Sequence, residues 1–162
     1  MNGAPPGRGG SGSAKGWMTS DIFPLVLEHV VKHARCTKER PILQIEDNHS
    51  SHVSTQAIQY CKDNGIVVLT LPPHTSGKLQ PLDRTVYKSF KNYYNIACID
   101  WVVSNPGQTI GISIIAQLVG KAFQLSFTQE NIVSGFAATG IFPFNRLLYT
   151  DDDFLASAVT DK

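Results

Sequence analysis

The stretch from Pro41 to Leu71 constrains the fold of this chain more than any other. Pro41–Asp47 holds Ile42, Leu43 and Ile45 in a short apolar run, and Ile66-Val67-Val68-Leu69-Thr70-Leu71 is a second, nearly continuous one. Between them Ser54 suits the N-cap of a helix through about Asp63, and Asn64-Gly65 supplies a left-handed stop. Strand, helix, strand in that order predicts a parallel pair with a right-handed crossover. A run as uniformly apolar as the second predicts a strand covered on both faces. The expected class is α/β.

Helices are expected on either side. Upstream, Ile22, Leu25, Val26, His29, Val30 and His33 share one helical face, with Thr19 or Ser20 as the cap and Pro24 in the first turn. Downstream, Pro72 and Pro73 end the second strand, and Pro81 opens a long helix to about Ser104. On it Leu82, Val86, Phe90, Tyr93, Ala97 and Trp101 form a core stripe, while Arg84, Lys88 and Lys91 form a basic one. At about 100° per residue, Asp83 falls on the rim between the two stripes. Two further helices are expected at 112–125 and 128–138, the second capped by Thr128. Trp17, Trp101, Phe142 and Phe144 are expected in the core.

Along the chain this gives a flexible segment at 1–16, rich in Gly, Pro and Ser. A domain at 17–104, a helical extension of it at 105–148 and a polar tail at 149–162 follow. The 162 residues can bury a sizeable core, and a formal charge of +1 advertises no polyanionic partner, so any nucleic-acid contact has to be a local basic patch. Cys36, Cys61 and Cys98 are widely spaced, which suggests neither a disulfide framework nor a zinc site. They read as thiols of a reducing compartment. No apolar run approaches the roughly 20 residues of a membrane span, so no membrane partner is expected.

Asp47 and Asp83 lie 36 positions apart, one at a strand's carboxyl end and the other at the start of a later helix. Two carboxylates so placed can meet in one cleft, the arrangement that hard divalent cations such as magnesium require. Each also has a plainer reading, Asp47 as a turn residue and Asp83 as a residue favoured by the helix dipole. Asn48, His49 and His52 follow Asp47; the histidines lack a nearby third zinc ligand and suit supporting hydrogen bonds or a cap on the next helix. Arg84, Lys88 and Lys91 are either a solvated face or phosphate contacts.

Five strings occur in register: Gly16-Trp17-Met18, Asp47-Asn48-His49-Ser50-Ser51-His52, Leu71-Pro72-Pro73-His74-Thr75, Leu79-Gln80-Pro81-Leu82-Asp83 and Thr139-Gly140-Ile141-Phe142-Pro143-Phe144. Together they resemble the DDE-type transposase catalytic domain of the pogo, Tigger and jerky group, relatives of the mariner elements. The resemblance implies a ribonuclease-H-like, integrase-type fold with a short parallel sheet flanked by helices. It implies an acidic triad that holds two Mg2+ or Mn2+ ions, Asp47 matching the second acid and Asp83 the third. It further implies DNA as substrate, metal-assisted phosphodiester cleavage or strand transfer, and a nuclear location. Lys78, Arg84, Lys88 and Lys91 become the DNA-contact set.

The family's first aspartate lies upstream of the Gly-Trp-Met string, so this chain is expected to be an amino-terminally truncated domain that holds metal weakly and is catalytically incomplete. Its strand at Ile42–Ile45 would then present an unpaired apolar edge. A different class of function is a non-catalytic, domesticated nuclear module that binds DNA or pairs with a homologous full-length chain.

Overall fold

The computed structural model describes Gly7 and residues 9–155. Residues 1–6 and 8 of the expected flexible segment, and 156–162 of the expected tail, lie outside the described residues. The chain divides into two compact units, one containing Gly9–Ser76 and a second opening at Gly77. The architecture is a helix-rich α/β mixture with a short parallel sheet of two strands.

The first unit runs α1 (Phe23–Ala34), β1 (Ile42–Glu46), α2 (Thr55–Asn64) and β2 (Ile66–Thr70). The strands pair in parallel, Ile42 opposite Ile66 and Glu46 opposite Thr70, as the strand–helix–strand pattern predicts. Both helix-boundary signals of α2 operate. Ser54 accepts a hydrogen bond from the Ala57 amide at 3.3 Å, and Gly65 stops the helix at φ +74°. Phe23, Leu27, Cys36, Ala57, Cys61 and Ile66 form the core, with Ile42 and Val68 packed against it.

Two expectations need correction here. The buried face of α1 is set by Phe23 and Leu27, with Val26, Val30 and Val31 beside them, whereas Leu25 and His33 are exposed. Phe23 opens the helix, and positions 23, 27, 30 and 31 make a better i, i+4, i+7, i+8 stripe than the one centred on Ile22 and Leu25. Strand β2 is not covered on both faces. Side chains alternate, so the core meets the sheet through Ile42, Ile66 and Val68, while Val67 and Leu69 on the other side remain 54% and 50% exposed. Leu43, opposite Val67, is exposed with them.

In the second unit a short helix α3 (Ser76–Leu79) leads to a π-turn at Leu82–Val86 and then α4 (Tyr87–Ser104). Next come α5 (Ile112–Ser126), α6 (Gln129–Ala138) and a 3-10 turn at Asp151–Phe154. The long helix expected from Pro81 is thus interrupted by one wider turn, where the Tyr87 amide bonds to the Leu82 carbonyl five residues back. The stripe Val86, Phe90, Tyr93, Ala97 and Trp101 is buried or half-buried, and Lys88 and Lys91 are exposed, as the pattern predicts. Val86 of the stripe and Leu118, Ala122 and Ser126 of α5 are the most deeply buried residues described in this unit. Phe127 meets Phe123 in a stack at 4.1 Å and Phe90 edge-on at 6.0 Å. Thr128 caps α6 through the Asn131 amide.

Trp17, Phe142 and Phe144 are exposed, not core. The 139–145 stretch folds back through its small residues. Thr139 and Gly140 are buried, Gly140 reverses the chain at φ +68°, and the amide of Asn145 bonds to its carbonyl. A turn that tight has no interior volume for two phenyl rings, and apolar residues have no obligation to be inside.

Candidate functional site

Asp47 is the first residue beyond the sheet, because the last rung is the Leu71 amide bonding to the Glu46 carbonyl at 2.8 Å. The loop that follows closes around its carboxylate. Asp47 Oδ1 accepts from the His49 amide at 3.2 Å and lies 2.8 Å from His52 Nδ1, which also hydrogen-bonds the Asp47 carbonyl at 3.4 Å. The His52 ring is itself held, lying 4.4 Å from the Phe23 ring of α1. His49 Nδ1 accepts from the Ser51 amide at 3.3 Å and contacts the Ser51 hydroxyl at 2.8 Å, and Ser51 is buried. The Ser51 amide makes His49 Nδ1 an acceptor, while His52 Nδ1 faces the oxygens of Asp47.

His49 and His52 are thus brought against Asp47, while Asn48, its neighbour in the chain, is exposed. The Asp47 side chain is about half exposed, and among the described residues no partner engages its Oδ2. A hard anionic oxygen at a strand end, its other oxygen locked by a histidine, fits a divalent cation as a donor. Among the described residues no cluster of three His, Cys, Asp or Glu side chains is preassembled for a metal ion.

Glu46 points the other way, into the core, and is only 8% exposed. Burial raises its pKa above the usual carboxylate range, opposed by the Gln44 hydrogen bond and the nearby His52. Gln44 Nε2 donates to Glu46 Oε2 at 2.7 Å, but Gln44 Oε1 and Glu46 Oε1 are both buried acceptors without donors among the described residues. A proton on Glu46 turns one of these acceptors into a donor. The folded state therefore holds more protons than the unfolded one between the ordinary glutamate pKa and the raised value, and stability falls as pH rises through that window. Glu46→Gln is expected to stabilise the chain by about 1 kcal/mol at neutral pH and to flatten that slope. Thermal unfolding of both chains from mildly acid to neutral pH checks it; parallel pH profiles would contradict it.

Asp83 sits inside the π-turn, so the 100°-per-residue projection that put it on a rim does not apply across Leu82–Val86. This turn is clamped from α6. The Thr85 hydroxyl donates to the Asn131 carbonyl at 2.7 Å, and Asn131 Nδ2 donates to the Ser126 carbonyl at 2.9 Å. Gly135 allows the approach: a Cβ there would lie 2.7 Å from the Pro81 carbonyl oxygen and 2.8 Å from the Thr85 hydroxyl. Thr85, Asn131 and Gly135 escaped the sequence reading. A glycine in the middle of a helix was the available signal, because it costs about 1 kcal/mol against alanine unless something needs the space.

Arg84, Lys88 and Lys91 are exposed, and Lys88 and Lys91 stand three apart on one face of α4. Lys78 differs from them. Its Nζ is 3.0 Å from Asp153 Oδ1 and also contacts the Asp153 carbonyl, so the segment expected as a polar tail is docked, at least from Tyr149 to Phe154.

The family model described as DDE superfamily endonuclease matches residues 11–136, a span that takes in Asp47, Asp83 and every basic residue of the DNA-contact set. A curated relative from Cochliobolus lunatus, named "MFS-type transporter clz9", is 34% identical over 133 residues, 81% of this chain. The chain spans 14% of that relative's length. No helix among the described residues is long and apolar enough to cross a membrane. No solved structure matches the chain. With the family match running over most of its length, the chain belongs to the DDE superfamily endonucleases.

Proposed function

We propose that this chain is a transposase-derived domain of the pogo, Tigger and jerky group, acting on DNA in the nucleus. In this reading the parallel pair β1–β2 with its helices is part of a ribonuclease-H-like fold. Asp47 and Asp83 are the acids that hold Mg2+ or Mn2+, and Arg84, Lys88 and Lys91 hold DNA phosphates. The observation that carries it is the family match across residues 11–136, joined to a strand-end aspartate whose orientation is locked by His52.

A bound divalent ion in such a site supplies Lewis-acid polarisation of a phosphodiester and lowers the pKa of a bound water. The chain's own residues have simpler tasks. Asp47 offers Oδ2 as a hard donor, His52 and the His49 amide keep that carboxylate from rotating, and the α4 cations neutralise phosphate charge.

Manganese titration followed by paramagnetic broadening tests the metal reading. Signals around Asp47 and around Asp83 are expected to broaden with one midpoint, and Asp47→Asn or Asp83→Asn is expected to weaken binding about tenfold or more. Two unrelated midpoints, or no response at either residue, would overturn it. In gel-shift assays Lys88→Glu with Lys91→Glu is expected to weaken DNA binding while Asp47→Asn retains it.

A further inference from the structure

The 3-10 turn at Asp151–Phe154 ends up on Lys78, a residue 75 positions earlier in the chain. Contacts from Tyr149, Asp153 and Phe154 hold it there. The Lys78 ammonium meets Asp153 Oδ1 at 3.0 Å and also the Asp153 backbone carbonyl. The Tyr149 hydroxyl lies 2.8 Å from the Lys78 carbonyl and 3.0 Å from the Ala138 carbonyl, so it ties the segment to both α3 and the end of α6. Phe154 packs edge-on against Tyr149 at 5.5 Å, and its ring centroid is 5.4 Å from Lys78 Nζ. The other oxygen of Asp153 is used internally, accepting from the Thr150 amide at 2.9 Å and the Thr150 hydroxyl at 3.1 Å.

This is how a phosphate is usually bound. One anionic oxygen takes an ammonium while another takes a backbone amide and a hydroxyl. The carboxylate is supplied by the protein itself. We propose that Tyr149–Phe154 is an internal strap that occupies Lys78 in place of a DNA phosphate, so that DNA must displace Asp153 to use this lysine. The inference rests on the reading of Lys78 as a DNA contact and adds its regulation.

The magnitudes favour a brake over a block. The pair is partly exposed, and such pairs are individually weak. What makes it effective is the tether: a carboxylate anchored next door by Tyr149 and Phe154 competes at high local concentration without any new contact. Salt weakens both competitors, and a phosphodiester run binding several cations at once outcompetes one carboxylate.

A mutant cycle on the full chain tests this, with a short mixed-sequence DNA duplex as probe across a series of salt concentrations. Asp153→Asn is expected to tighten binding by up to about fivefold and to steepen the salt dependence by about one phosphate contact. In a Lys78→Ala background the same change is expected to do nothing. Tyr149→Phe loosens the strap without altering charge and is expected to tighten binding in the same direction. Asp152→Asn removes one exposed charge that makes no contact with Lys78, and is expected to have the smaller effect.

An Asp153→Asn gain that persists without Lys78, or one matched by Asp152→Asn, would overturn the strap, since general repulsion of DNA would then explain it. DNA binding that Lys88→Glu weakens but Asp153→Asn leaves unchanged overturns the strap alone. Absence of DNA binding in every variant overturns the DNA reading and the strap together.

Discussion

Gly65→Ala is expected to cost the chain about 3–5 kcal/mol, from a forced positive φ and a backbone clash together. Gly65 sits at φ +74° as the C-cap of α2, and a Cβ added there would lie 2.1 Å from the Thr37 carbonyl oxygen. That neighbour is main chain, held by the reciprocal Thr37–Arg40 hydrogen bonds, and has no rotamer through which to withdraw. The position also feeds the sheet directly, since the Ile42 amide bonds to the Gly65 carbonyl at 3.0 Å. A loss this size is a large share of the 5–15 kcal/mol that ordinarily separates folded from unfolded chains. Denaturant titration of the two proteins measures it; an unchanged midpoint would mean that the α2–β2 corner is not packed as described.

Gly135→Ala comes next, at about 1–3 kcal/mol, the usual range for overpacking a filled site. Alanine favours helix over glycine by up to about 1 kcal/mol, so on propensity alone the change would stabilise α6. The sign is reversed by the two oxygens under 3.0 Å from the new methyl group, Pro81 O and Thr85 Oγ1. Pro81 caps the π-turn that carries Asp83 and Thr85 lies within it, so the strain falls on that residue's support. Hydrogen exchange at the Tyr87 amide, which closes the π-turn, should accelerate along with the loss of stability. Stabilisation by Gly135→Ala would show that α6 does not lie against the π-turn.

The first unit was largely legible in the sequence because its signals are local. A Ser N-cap, an Asn-Gly stop and two apolar runs specify α2 between β1 and β2 without reference to anything distant. The phase of α1 was not legible, since which of several apolar faces turns inward depends on what α2 and the sheet present. Cover on β2 failed for a related reason: an apolar run permits burial on both sides but cannot supply the second layer. At the candidate site, Asp47 and its His52 partner came from one contiguous string. The clamp on Asp83 came from Thr85, Asn131 and Gly135, on elements far apart in order, and the docking of Asp153 on Lys78 spans a still longer interval. Contacts of that kind leave no periodic trace, only single residues out of character for their element.

The bare side of the sheet has a thermal consequence. Leu43, Val67 and Leu69 already meet water in the folded state, so unfolding hydrates less new apolar surface than their composition suggests. The heat-capacity increment of unfolding shrinks accordingly, and the stability curve flattens. The stability of the first unit is therefore expected to change little between cold and warm conditions.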